Sequence, residues 1–286
     1  MKVPRLRTAL GIVLALGVLW VLILQLDHGL TRYRTKQRIA TLRSDPSPIR
    51  REAAAFWLAE NASRIDPVLV QPTSLAALND PSVDVRRSVG AALVELGIRS
   101  APVIPALAVA LKDSDAFVRV LSASGMKTVV LETGQGREIA IPTLIEALKD
   151  SNETVRVRAA RSLVELGAGD RAVPALAEIA RGNSAWNRHF ALELLEKIGP
   201  NARAAIPSLI DATKEHDDVV RAVAASALVA IGEPDAARPV LEEIEETSQD
   251  WEARQIADSA LKRIVDEARA RRPSSNDSRP ELPRRH

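Results

Sequence analysis

Residues 150–167 read DSNETVRVRAARSLVELG, and this stretch decides the fold. Val155, Ala159, Leu163 and Leu166 stand at −1, +3, +7 and +10 from Arg156, which is one stripe of an α-helix. Gly167 follows at +11, where helices commonly end in a left-handed residue. The pattern recurs in both directions along the chain. Aligned on its arginine it gives Arg50, Arg86, Arg119, Arg156, Arg188, Arg221 and Arg254, with a mean spacing of 34 residues. Position +7 is then Trp57, Leu93, Met126, Leu163, Leu195, Leu228 and Leu261, and position +10 is Leu96, Val129, Leu166, Ile198, Ile231 and Ile264. Glycine returns at +11 as Gly97, Gly199 and Gly232.

A second marker precedes each of these helices. Pro72, Pro105, Pro142, Pro174 and Pro207 lie fourteen residues before the arginine, and Pro239 fifteen before. Proline is tolerated in a first helical turn, where its missing N–H would be unpaired anyway, so each is expected to open a short helix such as 141–149. Asp80, Asp113 and Asp150 lie six residues before the arginine and Asp45 five before, and are expected to cap the helix that follows. The unit is helix, Asp-containing turn, helix, glycine.

These residues resemble the short, bilin-lyase-like variety of HEAT repeat, whose pattern is D-P-x-x-x-V-R-x-x-A-A-x-x-L-x-x-L-G. Residues 80–97 (DPSVDVRRSVGAALVELG) and 150–167 fit it best, and seven registers cover about 45–268. The resemblance implies an all-α, right-handed solenoid of about seven stacked helix pairs, beginning with a helix over 31–42. A single pair cannot bury its apolar face alone, so stability comes from stacking on neighbours. The resemblance further implies that the repeated arginines pair with acidic and carbonyl groups of adjacent repeats.

Composition agrees with helices: aromatic residues are 3% of the chain, while Ala, Leu, Val, Glu and Arg dominate. Cysteine is absent, which excludes disulfides, thiolate metal sites and cysteine nucleophiles. Charge is segregated. Residues 45–268 carry 25 Lys+Arg against 34 Asp+Glu, residues 1–44 carry 8 against 1, and residues 269–286 carry 6 against 2. The acidic body argues against nucleic acid as a partner. The carboxylates Glu242, Glu243, Glu245 and Glu246 read as a solvated helix face.

The termini differ from the body. Residues 8–26 (TALGIVLALGVLWVLILQL) carry no charge and are long enough to cross a bilayer, so they are expected to be an uncleaved, single-pass membrane anchor behind a basic flank, 1–7. The cations abutting this segment at its start lean toward a cytoplasmic N-terminus and a solenoid, 27–268, on the extracytoplasmic side. Residues 269–286 are basic, aperiodic and rich in Pro and Ser, and are expected to be disordered.

The sequence offers no constellation for catalysis, metal or cofactor. The four histidines, His28, His189, His216 and His286, fall in separate segments, with no i, i+4 pair. The His-Glu dipeptides that serve as iron ligands in one branch of the short repeats, resembling deoxyhypusine hydroxylase, are missing. The resemblance implies a protein partner on the concave face of the second helices. Offsets +1, +5 and +9 from the arginine bring Arg87, Val157, Arg161, His189 and Glu193 to that wall. Trp186, which interrupts the repeat at 184–190 (SAWNRHF), is a candidate anchor for a partner, with the plugging of a gap between repeats as the alternative. The expected function is a membrane-anchored scaffold for protein recruitment. The alternative is a non-catalytic accessory subunit of an enzyme.

Overall fold

The computed structural model describes residues 29–95 and 103–270. Among these every regular element is helical. The basic flank, the segment 8–26, Leu96, Gly97 and residues 271–286 lie outside them. Among the described residues no helix is long and apolar enough to cross a membrane. The expected single-pass membrane localisation is corrected accordingly, since the apolar run on which it stood is not among the described helices.

The chain divides into two compact units, 1–143 and 144–286. The first contains α1 (29–44), α2 (Pro48–Glu60), α3 (Pro67–Ala77), α4 (Val83–Glu95), α5 (Val103–Ala110) and α6 (Ala116–Thr133). There α2 packs on α4 and α4 on α6, while α3 packs on α4 and α5 on α6. Helix α7 (Arg137–Ala147) spans the boundary in sequence. The second unit contains α8 (Glu153–Glu165), α9 (Val173–Ile179), α10 (Ala185–Ile198), α11 (Ile206–Ala212), α12 (Asp218–Ile231), α13 (Pro234–Thr247) and α14 (Trp251–Ala270). Its helices α8, α10, α12 and α14 stack in that order, with α9, α11 and α13 as the second layer. Each unit is therefore a solenoid-like stack of helix pairs.

The stripe read from the sequence forms the core. Val85, Val118, Val155 and Val220 at −1 are buried, as are Met126, Leu163, Leu195 and Leu228 at +7. Full burial of each such leucine contributes roughly 1.5–3 kcal/mol. The arginine register holds from Arg86 onward but shifts by one in the first repeat. There Arg51 makes the contacts that Arg86 makes in the next, and Leu58 rather than Trp57 is the fully buried residue at +7. Counted from Arg51, Asp45 also moves to −6, in line with Asp80, Asp113 and Asp150.

Those aspartates do not cap the helices. Each accepts from the backbone N–H two residues on: Asp45 from Ser47, Asp80 from Ser82, Asp113 from Asp115 and Asp150 from Asn152. This fixes the turn that delivers the next residue, at −4, to the N-cap. Asp115, Asn152, Ser184, Asp217 and Asp250 occupy that position and accept N–H bonds from the first helical turn.

The prolines divide into two groups. Pro105, Pro174 and Pro207 stand in the first turns of α5, α9 and α11 as expected. Pro72, Pro142 and Pro239 instead lie inside helices that begin five residues earlier, two of them at Pro67 and Pro234, which take the N-terminal role. Helix α6 runs on to Thr133, and Gly134, at φ +69, ends it. Gly136, at φ +77, then lies against Ile104, where a Cβ would stand 2.7 Å from Cγ1. At the other end, Arg269 and Ala270, expected in the tail, complete α14.

Candidate functional site

The recurring arginines serve the stack itself. In each of four repeats the guanidinium donates to two carbonyls of its own turn: Arg51 to Asp45 and Pro46, Arg86 to Asp80 and Pro81, Arg119 to Asp113 and Ser114, and Arg156 to Asp150 and Ser151. The other edge of the fork reaches the next repeat. Arg51 holds Asp80 in two hydrogen bonds of 2.7 and 2.8 Å, and Arg86 holds Asp113 at 2.7 and 2.9 Å. The Arg51 hydrogen bond lowers the Asp80 pKa against the opposing effect of burial. Burial alone would raise Asp113, but the bond from Arg86 and the Asp115 N–H outweigh it, so its pKa is lowered too.

Where the −6 carboxylate changes, the pairing adapts. Arg188 meets Glu215, a glutamate at that position, at 3.7 Å. Position 182 is glycine, and there Glu153 of α8 substitutes, 3.6 Å from Arg156 and accepting from the Asn187 amide at 2.9 Å. This explains why asparagine stands at 187 in a row of buried valines. Position 248 is serine, and Arg221 turns to Glu243 at 3.0 Å, so that glutamate is not merely part of a solvated face.

Arg87 belongs to the same system. It pairs with Asp115 at 2.5 Å and with Asp84 at 3.5 Å in the first unit. The hydrogen bond from Arg87 is the main reason that the Asp115 carboxyl is lowered to about 2.

The other four candidates fall on one face of the second unit. Arg161 and Glu193 line an open cavity of about 550 Å³, together with Glu165, Phe190, Lys197 and Arg263. Helices α8, α10 and α14 contribute these side chains. Arg263 of α14 crosses α12 to reach Glu196 of α10 at 3.0 Å, and both bond the Ser226 hydroxyl of α12 between them. Arg161 is held by Glu165 at 2.8 Å. Trp186 is 71% exposed and packs edge-to-face on Phe190, with ring centroids 4.7 Å apart. His189 Nε2 stands 3.4 Å from Glu193 Oε1 and its ring 6.1 Å from that of Phe190. Val157, assigned to this wall by the same offset, is buried instead.

Sequence reasoning passed over Phe190 and the network of Glu196, Ser226 and Arg263. Phe190 was within reach, since it stands four residues from Trp186. Glu196 and Arg263 are 67 residues apart, and nothing local links them. A second cavity of the same unit, about 590 Å³, is lined by Asp150, Arg156 and Arg171 at the turns, where Arg156 is already committed to the stack. Among the described residues no group of His, Cys, Asp and Glu is arranged to hold a metal ion.

A family model described as HEAT repeats matches residues 128–196 and 174–262. Residues 128–262 are HEAT repeats. The resemblance read from the sequence is borne out there, and in the first unit Arg51 and Arg86 make the same turn-carbonyl contacts that Arg156 makes in the matched segment. Among solved structures, YibA of Escherichia coli is 22% identical over 82% of each chain, with a TM-score of 0.62. An engineered protein is 21% identical over 81% of this chain and 68% of its own, with a TM-score of 0.51. The complex of CpcE and CpcF of phycocyanin lyase from a Nostoc species is 20% identical over 80% of this chain and 94% of its own, with a TM-score of 0.48. At such identities the first two show a shared fold. No curated protein matches the chain.

Proposed function

We propose that this HEAT-repeat chain is a scaffold that holds a protein partner on the face of the second unit, around Arg161, Trp186, His189 and Glu193. One observation carries the reading. Side chains of α8, α10 and α14 surround a common open cavity, and the exposed Trp186 stands against Phe190 on its wall. Exposed aromatics beside a polar, partly enclosed surface are the usual anchors of protein interfaces. HEAT repeats are in general interaction scaffolds, which agrees. Arg87 is left out of the proposed face because it lies in the first unit, where it joins α4 to Asp115 of the next repeat. A non-catalytic accessory subunit would use the same face and differ only in that its partner is an enzyme.

The test is to capture a partner with the full chain, purify that partner, and measure its affinity for variants. Trp186→Ala and Arg161→Glu should each weaken binding about tenfold or more. Glu178→Ala, on α9 and away from this cavity, should leave it unchanged. Binding undiminished by both of the first two substitutions would remove the proposed face.

A further inference from the structure

We infer that the segment seated on this face is basic, and that one of its arginine or lysine side chains lies between the aromatic pair Trp186 and Phe190 and the Glu193 carboxylate. This rests on the reading of the face as a binding surface and specifies the chemistry of what binds. Trp186, His189, Phe190 and Glu193 stand at i, i+3, i+4 and i+7 of α10 and so form one stripe. The stripe offers aromatic rings at one end and a carboxylate at the other.

The carboxylates of the cavity wall already show a rule. Glu165 receives the guanidinium of Arg161 at 2.8 Å, and Glu196 receives that of Arg263 at 3.0 Å. Glu193 has no such cation. Among the described residues its carboxylate meets the His189 imidazole alone, and its side chain is 49% exposed. Lys197, one turn further along α10, lines the same cavity without forming an ion pair to it. Two of the three carboxylates thus carry a guanidinium of the chain itself, and the third is open on the helix stripe that also carries the Trp186 and Phe190 rings.

A cation placed over an aromatic face gains from the ring quadrupole, and a carboxylate beside it adds charge-assisted hydrogen bonds. Arginine fits best, because its planar fork both stacks and bonds a carboxylate through two N–H groups. The wider field favours the same sign. Residues 144–270 carry 16 Lys+Arg against 23 Asp+Glu, so a basic segment is drawn to this unit while an anionic one is repelled. The cavity, at about 550 Å³, has room for several side chains of such a segment.

The experiment uses the full chain and labelled peptides built on one neutral framework, bearing arginine, lysine or glutamate at the same positions, with binding read by fluorescence anisotropy. The arginine peptide should bind most tightly, the lysine peptide less so and the glutamate peptide least. Glu193→Gln and Trp186→Ala should each weaken the arginine peptide about tenfold without moving the melting temperature. Glu246→Gln, on α13, should change it less than twofold. The inference is overturned if Glu246→Gln costs as much as Glu193→Gln, if neither α10 substitution matters, if the glutamate peptide binds as tightly, or if no peptide binds at millimolar concentration. Should that happen while Trp186→Ala and Arg161→Glu still release the captured partner, the scaffold reading survives and only the basic chemistry falls.

Discussion

Arg86 grips both carboxylate oxygens of Asp113, 27 residues further along the chain, with Nε 2.7 Å from Oδ2 and Nη2 2.9 Å from Oδ1. The same guanidinium donates to the carbonyls of Asp80 and Pro81 in its own turn. One side chain therefore ties a turn to itself and to the turn stacked above it. A row of arginines on an acidic body looks like a binding surface in one dimension and is an internal clamp in three.

The clamp is measurable. Both side chains of the Arg86 and Asp113 pair are nearly out of solvent, so Arg86→Ala leaves a buried carboxylate short of its partner and should cost about 2–3 kcal/mol. Arg86→Lys should recover less than half of that, because a point charge cannot replace a two-pronged fork. Urea unfolding of the two variants checks both statements.

The corrected register makes a second prediction. Leu58 is fully buried, while Trp57 stays partly exposed with its ring beneath the Arg38 guanidinium. Leu58→Ala should cost about 2–5 kcal/mol, and Trp57→Ala clearly less. Leu163→Ala, at the equivalent position of α8, should match the leucine and not the tryptophan.

Acid should loosen the first unit in a defined window. The Asp115 carboxyl, held by the hydrogen bond from Arg87, titrates at about 2 in the folded chain against an ordinary value of 3.8. A folded value below the unfolded one means that the contribution is complete above about pH 4 and is lost as pH falls toward 2. The unfolding midpoint should therefore decline across that interval, and Asp115→Asn should flatten the decline. Carbon NMR of the Asp115 carboxyl should show its midpoint rising toward the ordinary range in Arg87→Ala.

Restoring the repeat pattern at position 182 should be harmful. A Cβ on Gly182 would stand 3.0 Å from Glu153 Oε2 and 3.0 Å from the Ile179 carbonyl oxygen. Gly182→Asp also sets a second carboxylate against Glu153, which already serves Arg156 and Asn187. The melting temperature should fall, and combining the change with Glu153→Gln should recover part of the loss.

Much of this architecture was legible because one physical demand repeats: every second helix buries the same stripe, so the period, the core and the helix ends recur together. The first register slipped because Ile49 and Arg50 mimic the Val-Arg pair of the other repeats, whereas Asp45, six residues before Arg51, carried the decisive distance. The early starts of α3 and α13 were hidden because Pro72 and Pro239 read as openings while Pro67 and Pro234 already opened those helices. Of the candidate face, Arg161, Trp186, His189 and Glu193 followed from helical offsets and from a break in the repeat. The crossing of Arg263 over Ser226 to Glu196 did not, because it depends on how closely α10 and α14 approach across α12.

The most direct test of the scaffold reading places a photo-crosslinking residue at position 186 or 193 of the full chain, and in parallel at position 178 on α9. Positions 186 and 193 should give adducts to one and the same protein, and position 178 none to it. Adducts confined to 178, with 186 and 193 silent, would contradict that reading.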